Sequence, residues 1–200
     1  MRKNRSQTAA AAKRRRFIDE LAEMMESIIF SVFIVILVFT FLFRMSTVEG
    51  PSMQPTLYTG DRLIASHLFY TPENGDVIII ESGALKKRLV KRVIALENQE
   101  INIDFESGKI YVDGEELNEQ VYTEGAELTS DYFINEITQV DEGGFTYPLR
   151  VPKGCVFVMG DNRNNSTDSR NARLGCVPVE EITGKVIFRI YPFTKLGTIK

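Results

Sequence analysis

The sequence predicts a mostly β protein in which one N-terminal transmembrane helix precedes an antiparallel β-sheet domain. Three observations support this prediction. Residues 27–43 carry no charge, and all of them except Ser27, Ser31 and Thr40 are strongly apolar. After residue 44, short apolar segments alternate with turns rich in Gly, Asn and Asp. That second part contains no long amphipathic helical pattern.

The N-terminal region has the charge pattern of an uncleaved membrane anchor. Residues 1–43 hold seven Lys/Arg against four Asp/Glu, whereas residues 44–200 hold 17 against 23. A core helix would carry a polar stripe, and a cleavable signal peptide would be followed by a small-residue cleavage site; neither feature is present. We expect a basic tail over 1–25 and a transmembrane helix over 26–45.

The flanking charges also predict an orientation. Nearly all the basic residues of this region precede the apolar run, and Arg44 alone directly follows it. The positive-inside rule then puts the N-terminus in the cytoplasm and residues 44–200 outside, with a single pass through the cell membrane. The basic tail serves as a topology signal, and binding of the tail to anionic lipid is compatible with that role.

Residues 44–200 are predicted to form a set of strands joined by turns. Their core consists of two pieces, 46–97 and 149–200, and residues 98–148 are richer in acidic and polar residues and read as an inserted β elaboration. Strands are predicted where apolar runs or alternation lie between turn clusters. These strands cover residues 76–80, 89–96, 101–105, 109–112, 156–159 and 185–191.

Composition excludes several functional classes. The acidic balance of the folded part is not that of a nucleic-acid-binding protein. A zinc site of three or four Cys/His ligands would need His67, Cys155 and Cys176 together, and their positions show no ligand-pair spacing. The chain has no P-loop and no Gly-x-Gly-x-x-Gly run. We therefore expect no metal, no cofactor and no nucleic-acid partner.

A candidate nucleophile lies close behind the apolar run. Ser52 is part of residues 48–57 (VEGPSMQPTL), where two prolines and a glycine restrict the backbone. A Ser-His-Asp triad would have to use His67, the only histidine, and nothing flanking His67 suggests a catalytic base. His67 is therefore interpreted as a surface or packing residue.

A lysine could replace histidine as the base. It must be neutral near pH 7, which requires burial among apolar groups. Lys91 lies in the otherwise apolar segment 89–96 (LVKRVIAL) and meets this condition. Spacing alone does not separate it from Lys86 and Lys87, although those two lie in a solvated-looking charge run.

A third segment of interest is the polar loop at residues 160–170 (GDNRNNSTDSR), which follows a predicted strand. It is either an ordinary surface loop or a self-bonded scaffold. In the second case Ser166 would hydrogen-bond the base, and Asp168 and Arg170 would form an ion pair.

Together, in this order behind one anchor, GPSMQPTL, GDRLIAS, LVKRVIAL and VMGDNRNNSTDSR resemble the type I signal peptidase (leader peptidase) family. The resemblance covers nearly all of residues 44–200, most loosely 98–148, and the single span is similar to the Gram-positive form. It implies an antiparallel β-sheet catalytic domain of the signal-peptidase type. It also implies a membrane-bound serine endopeptidase that cleaves N-terminal signal peptides from exported precursors after small residues.

The resemblance implies roles for individual residues. Ser52 would be the nucleophile, and its backbone N–H would donate to the oxyanion. Lys91 would be the general base, and Ser166 would orient its amine. Asp168 and Arg170 would hold the loop.

The substrate side of the site carries two departures from the family pattern. Gly50 stands where some members have a hydroxyl donor, so the second oxyanion donor is left open. Residues 95–98 (ALEN) stand where Gly-Leu-Pro-Gly is common. Val48, Met53 and Val90 would line shallow pockets for small substrate side chains.

Two other functions compete with the signal-peptidase interpretation. Self-cleaving Ser/Lys repressors would use the same chemistry, but they need a DNA-binding module where this chain has a hydrophobic span. A catalytically inactive, membrane-anchored homologue that binds peptides or scaffolds secretion is the alternative. Cys155 and Cys176 belong to none of these motifs, and we expect them to be free or dispensable.

Overall fold

The structure is a computed structural model that describes residues 2–68, 70–105, 107–118 and 145–199. The chain divides into two units, Met1–Leu42 and Phe43–Lys200. The first is a single helix and the second is built almost entirely from antiparallel strands. The predicted fold class is therefore confirmed.

The first unit is helix α1 (Arg2–Leu42). Its stretch Arg16–Leu42 has a mean hydropathy of 2.5 and is long and apolar enough to cross a membrane. The three hydroxyls of the apolar run each donate to the carbonyl four residues earlier: Ser27 to Glu23, Ser31 to Ser27 and Thr40 to Ile36. No hydroxyl in the run is left without a hydrogen bond, which is what a lipid environment demands.

Within residues 43–68, 70–105, 107–118 and 145–199, the second unit contains twelve strands, many of them short. They are β1 (Phe43–Thr47), β2 (Arg62–Ser66), β3 (Val77–Ser82), β4 (Lys87–Ala95), β5 (Glu100–Ile103), β6 (Ile110–Val112), β7 (Glu115–Glu116), β8 (Leu149–Arg150), β9 (Cys155–Met159), β10 (Val177–Pro178), β11 (Ile182–Tyr191) and β12 (Gly197–Thr198). All six predicted strands are present, with shifted ends. Residues 43–45, which the sequence assigned to the transmembrane helix, lie in β1 instead.

Eight strands form the main sheet, in the order β1-β2-β11-β3-β4-β9-β10, with β12 paired to β11. All the recorded pairings are antiparallel. The two edges of β4 are paired over different lengths, and this difference matters for the site described below. Along Lys87–Arg92 the strand pairs with β3, whereas β9 is paired to it only at Arg92, Val93 and Ala95.

The central strands of the main sheet are apolar because both of their faces are buried. Ile78 and Ile80 of β3 pack on one face in a cluster with Val93 and Val158. Val77 and Ile79 of the same strand point the other way, into a second cluster. A strand buried on both faces needs a continuous apolar run, which residues 77–80 supply.

The described part of the inserted region contributes β5, β6 and β7 to a separate four-stranded sheet, which β8 completes directly after the insertion, in the order β7-β6-β5-β8. Tyr147 packs edge-on between Phe105 and Phe157, which connects this region to the apolar cluster around β9. Residues 119–144, most of the predicted insertion, lie outside the described residues.

Both cysteines are free thiols, as expected from the sequence. Cys155 begins β9, and Cys176 directly precedes β10. Burial raises the pKa of the Cys176 thiol to about 11, so that thiol is protonated and unreactive near neutral pH.

Candidate active site

Ser52 and Lys91 meet in space although 39 residues separate them in the sequence. Lys91 Nζ lies 2.8 Å from Ser52 Oγ and also donates to the Val90 carbonyl oxygen, 3.0 Å away. The serine comes from the turn after β1, and the lysine projects from β4. A proton can therefore pass directly between the serine hydroxyl and a neutral lysine amine.

The electrostatic surroundings favour the neutral form of that amine. Lys91 is 2% exposed, and burial lowers the pKa of its side chain to about 8. The carboxylates of Asp168 and Asp161 act in the opposite direction, and the cations of Lys87 and Arg170 add to the lowering. Desolvation is the largest of these effects and determines the direction of the shift.

The polar loop holds the serine in place through its backbone. The Asn162 N–H donates to the Ser52 carbonyl oxygen at 3.0 Å, and the Asn162 amide donates to the Pro51 carbonyl oxygen at 3.3 Å. In the described residues no hydrogen bond is recorded from the Ser52 N–H. That N–H therefore remains free to donate to a developing oxyanion.

Asp168 and Arg170 form a bidentate ion pair inside the same loop. Both guanidinium–carboxylate contacts are 2.8 Å, and Asp168 is completely buried. Burial by itself would raise the pKa of the Asp168 carboxyl, but the Arg170 guanidinium and the Gly160 N–H hold it below its usual range. The pair stays ionised and fixes the loop next to β9.

Ser166 does not make the hydrogen bond expected from the sequence. Its Oγ is buried and makes no hydrogen bond of good geometry within the described part of the chain, although it lies near enough to the Asp168 carboxylate to help lower the pKa of that carboxyl. The Lys91 amine instead contacts Ser52 and the Val90 carbonyl. Ser166 nevertheless lies at the site, because a Cβ on Gly160 would overlap both Ser166 Oγ and the Ser52 carbonyl oxygen.

Sequence reasoning missed a buried ion pair beside the lysine. Arg92 and Asp161 make two 2.8 Å contacts, and their side chains are 0% and 3% exposed. Asp161 also accepts a 2.6 Å hydrogen bond from Thr56, four residues after the serine. Adjacent residues of a strand project from opposite faces of the sheet, so the side chains of Lys91 and Arg92 lie on different faces. Because a buried charge needs a partner, the sequence could have predicted a separate partner for Arg92.

An open cleft of about 500 Å³ lies beside the serine and the lysine. One wall is the segment 46–53, and the other is the Lys87–Lys91 half of β4, the half that β9 leaves unpaired. Val48, Met53 and Val90 all line it. Val48 and Met53 are almost fully buried, and Val90 is half-buried.

The other candidate bases lie elsewhere. His67 and Lys86 are exposed, and neither lines the cleft, whereas Lys87 lines its far end. Within the described residues no group of three or more His, Cys, Asp or Glu side chains could hold a metal ion. Gly50 lines the cleft with a φ of 85°, a left-handed conformation that favours glycine, and offers no side-chain donor.

Comparison with known proteins identifies relatives over almost the whole chain. Residues 21–191 match the family model described as signal peptidase, peptidase S26. A signal peptidase I P of Bacillus subtilis subsp. natto is 33% identical over 94% of this chain and 98% of its own length. A signal peptidase I of Bacillus caldolyticus is 39% identical over 78% of this chain and 84% of its own length. The crystal structure of a signal peptidase I from Enterococcus faecalis V583 is 27% identical, with a TM-score of 0.41 over 58% of this chain and 97% of that one.

Proposed function

This chain belongs to the signal peptidase family, peptidase S26, and we propose that Ser52 and Lys91 are the residues with which it cleaves its substrates. It is a serine endopeptidase that removes signal peptides from precursor proteins, and its N-terminal apolar helix anchors it to a membrane. The 2.8 Å contact between a buried lysine amine and the serine hydroxyl is the observation that supports the proposed pair.

The proposed reaction is acyl transfer in two steps. The neutral Lys91 amine accepts the Ser52 hydroxyl proton while Oγ attacks the scissile carbonyl carbon, and the oxyanion is bound by the Ser52 N–H. The Lys91 ammonium then protonates the leaving amine, and the C–N bond breaks to give an ester. In the second step Lys91 takes a proton from water, the hydroxide attacks the ester, and Ser52 regains its proton as the acid product leaves.

The substrate would bind in the cleft as an extended strand. In the described part of the chain, β9 does not pair with the Lys87–Lys91 stretch of β4 that lines the cleft, and the Val90 carbonyl accepts only the Lys91 amine; an added peptide strand would pair with this edge. Val48, Met53 and Val90 would then lie under alternate side chains of the peptide. In this proposal their apolar side chains line pockets that accept the small side chains before the cleaved bond.

Three further features complete the proposal. Residues 1–25 are a cytoplasmic tail that binds anionic lipid through its basic residues. Residues 44–200 lie outside the cell membrane, where exported precursors emerge. In that part, 46–97 and 149–200 form the catalytic core and 98–148 the insertion, and Asp168, Arg170 and Ser166 support the catalytic pair.

The decisive test is cleavage of a signal-peptide-bearing precursor by the purified full chain in detergent. Ser52→Ala should lower kcat/KM by at least about a thousandfold, because the acyl-enzyme cannot form. Ser66→Ala removes a serine hydroxyl outside the cleft and is the matched control. Undiminished cleavage by Ser52→Ala would rule out this nucleophile, and no cleavage by the unmodified chain would favour the peptide-binding alternative.

A further inference from the structure

The end of the cleft that lies away from Ser52 carries two cations that catalysis does not use. Lys87 and Arg88 both line the cleft, and both are exposed. No ion pair is recorded for either side chain in the described part of the chain. Glu49, the acidic residue of the opposite wall, is within ion-pair distance of neither.

We propose that Lys87 and Arg88 form a basic subsite that selects precursors carrying an acidic side chain four to six residues before the cleaved bond. This inference rests on the proposed function and specifies the substrates of the same cleft. It concerns specificity and assigns no chemical step to either residue.

Strand geometry gives the number of residues between the cleaved bond and the acidic side chain of the substrate. Four residues separate Lys87 from Lys91 on β4, which is about 13 Å at the usual rise of 3.3 Å per residue. A peptide strand lying along this edge advances at the same rate. Its scissile carbonyl is held at Ser52 and Lys91, so the residues beside Lys87 and Arg88 are about four to six positions away.

Lys87 and Arg88 would contact side chains on opposite faces of the bound peptide strand. Lys87 and Lys91 project from the same face of β4, because side chains alternate along a strand. The pKa of Lys91, lowered mainly by burial, is also lowered by the Lys87 charge, which agrees with that placement. Arg88 projects from the Val90 face. It would meet a substrate side chain two residues beyond the one above Val90.

The two cations also differ in their neighbours across β3. Arg88 is directly opposite Glu81, which offsets part of its charge, whereas Lys87 is opposite Ser82. Lys87 should therefore carry the larger share of the selectivity. Exposed pairs of this kind contribute modestly, so an effect of a few-fold per cation is expected.

The test uses the full chain in non-ionic detergent and a series of peptides. Each peptide carries Glu, Gln or Lys at the fourth, fifth or sixth residue before the cleaved bond. The Glu peptide should exceed the Lys peptide in kcat/KM by about five- to tenfold at low salt, and about 1 M salt should largely remove the difference. The ratio is taken within one enzyme, so any change in Lys91 or in folding cancels.

Variants identify the cations responsible. Lys87→Gln should reduce the Glu-to-Lys ratio more than Arg88→Gln, and the double variant should bring it close to one. Lys86→Gln removes a lysine from the turn directly before β4, outside the cleft, and it should leave the ratio unchanged.

The outcomes separate the two proposals. Equal cleavage of the Glu, Gln and Lys peptides would overturn the subsite while leaving Ser52 and Lys91 in place. A ratio that survives in the double variant, or that requires added anionic lipid, would also overturn it. Failure to cleave the Gln peptide would contradict the proposed function, and the subsite with it.

Discussion

At the residue scale, the chemistry depends on the protonation of Lys91. With a pKa of about 8, roughly one amine in ten is neutral at pH 7 and about half are neutral at pH 8. We therefore expect kcat/KM to rise about fivefold between these pH values and to level off above about pH 9. The measurement is a pH–rate profile of peptide cleavage by the full chain.

Substitution of the lysine tests the same assignment. Lys91→Arg should be inactive across the profile because a guanidinium stays protonated, whereas Lys86→Arg should keep the native profile. A flat profile, or activity in Lys91→Arg, would show that another group is the base.

Burial of Lys91 also has a cost in stability. Its pKa is 10.5 in the unfolded chain and about 8 in the folded one, which corresponds to about 3 kcal/mol of destabilisation below pH 8. Between pH 8 and 10.5 the unfolded chain binds more protons, so stability should rise with pH and the cost should disappear.

Lys91→Met removes the charge while keeping much of the volume. The variant should have a free energy of unfolding about 3 kcal/mol higher than the native chain at pH 7, and the difference should shrink by pH 10.5. Urea unfolding followed by circular dichroism at both pH values gives the comparison. A difference that does not depend on pH would mean that Lys91 is not buried as a cation.

Ser52 and Lys91 were predicted as a pair only through the resemblance of their segments to a known family, because the residue pattern alone left Lys86 and Lys87 open as the base. The orientation of Ser166 could not be predicted, because it depends on which acceptors surround the Lys91 amine once β4 and the loop have packed. The requirement for glycine at position 160 was also not predictable from the sequence. The need for a missing Cβ appears only when Ser166 and the Ser52 carbonyl oxygen close around Gly160.

At the element scale, the Arg92–Asp161 pair connects β4 to the polar loop and, through Thr56, to the serine turn. Arg92→Met should lower the free energy of unfolding by about 3–5 kcal/mol because it leaves a buried carboxylate without its partner. Combining it with Asp161→Asn should recover part of that loss. The exposed Lys109–Glu116 pair is the control, and its removal should leave the free energy of unfolding almost unchanged.

A double-mutant cycle by urea unfolding supplies the measurement. Strictly additive effects of Arg92→Met and Asp161→Asn would contradict a direct interaction between the two side chains. The same variants should also lose activity, since the Ser52 carbonyl is held by the residue that follows Asp161.

Strands with an apolar run or a clear alternation between turns were predictable, whereas β1, β2 and the two-residue strands were not. β3 and β4 have enough β-branched residues for their pattern to stand out. β1 was absorbed into the apolar run because Phe43 continues it, and only pairing with β2 marks Phe43–Thr47 as a strand. Two-residue strands such as β8 and β10 are defined by their partners and leave no pattern of their own.

At the scale of the whole molecule, the charge difference between the two parts of the chain predicts its orientation. Protease added to intact cells should degrade residues 44–200 and spare the basic tail, because the positive-inside rule keeps that tail in the cytoplasm. Immunoblotting with tags at either end measures this, and permeabilised cells provide the control. Protection of the large unit in intact cells would reverse the proposed orientation.

The unpaired half of β4 has an evolutionary consequence. In the proposed binding mode the strand edge interacts with the peptide backbone, which is the same in every protein, while the pockets and the basic subsite select side chains at only a few positions. Exported proteins can therefore diverge freely over most of their leaders without a compensating change in the protease. Under this binding mode, selection for correct processing acts on only a handful of positions in each precursor.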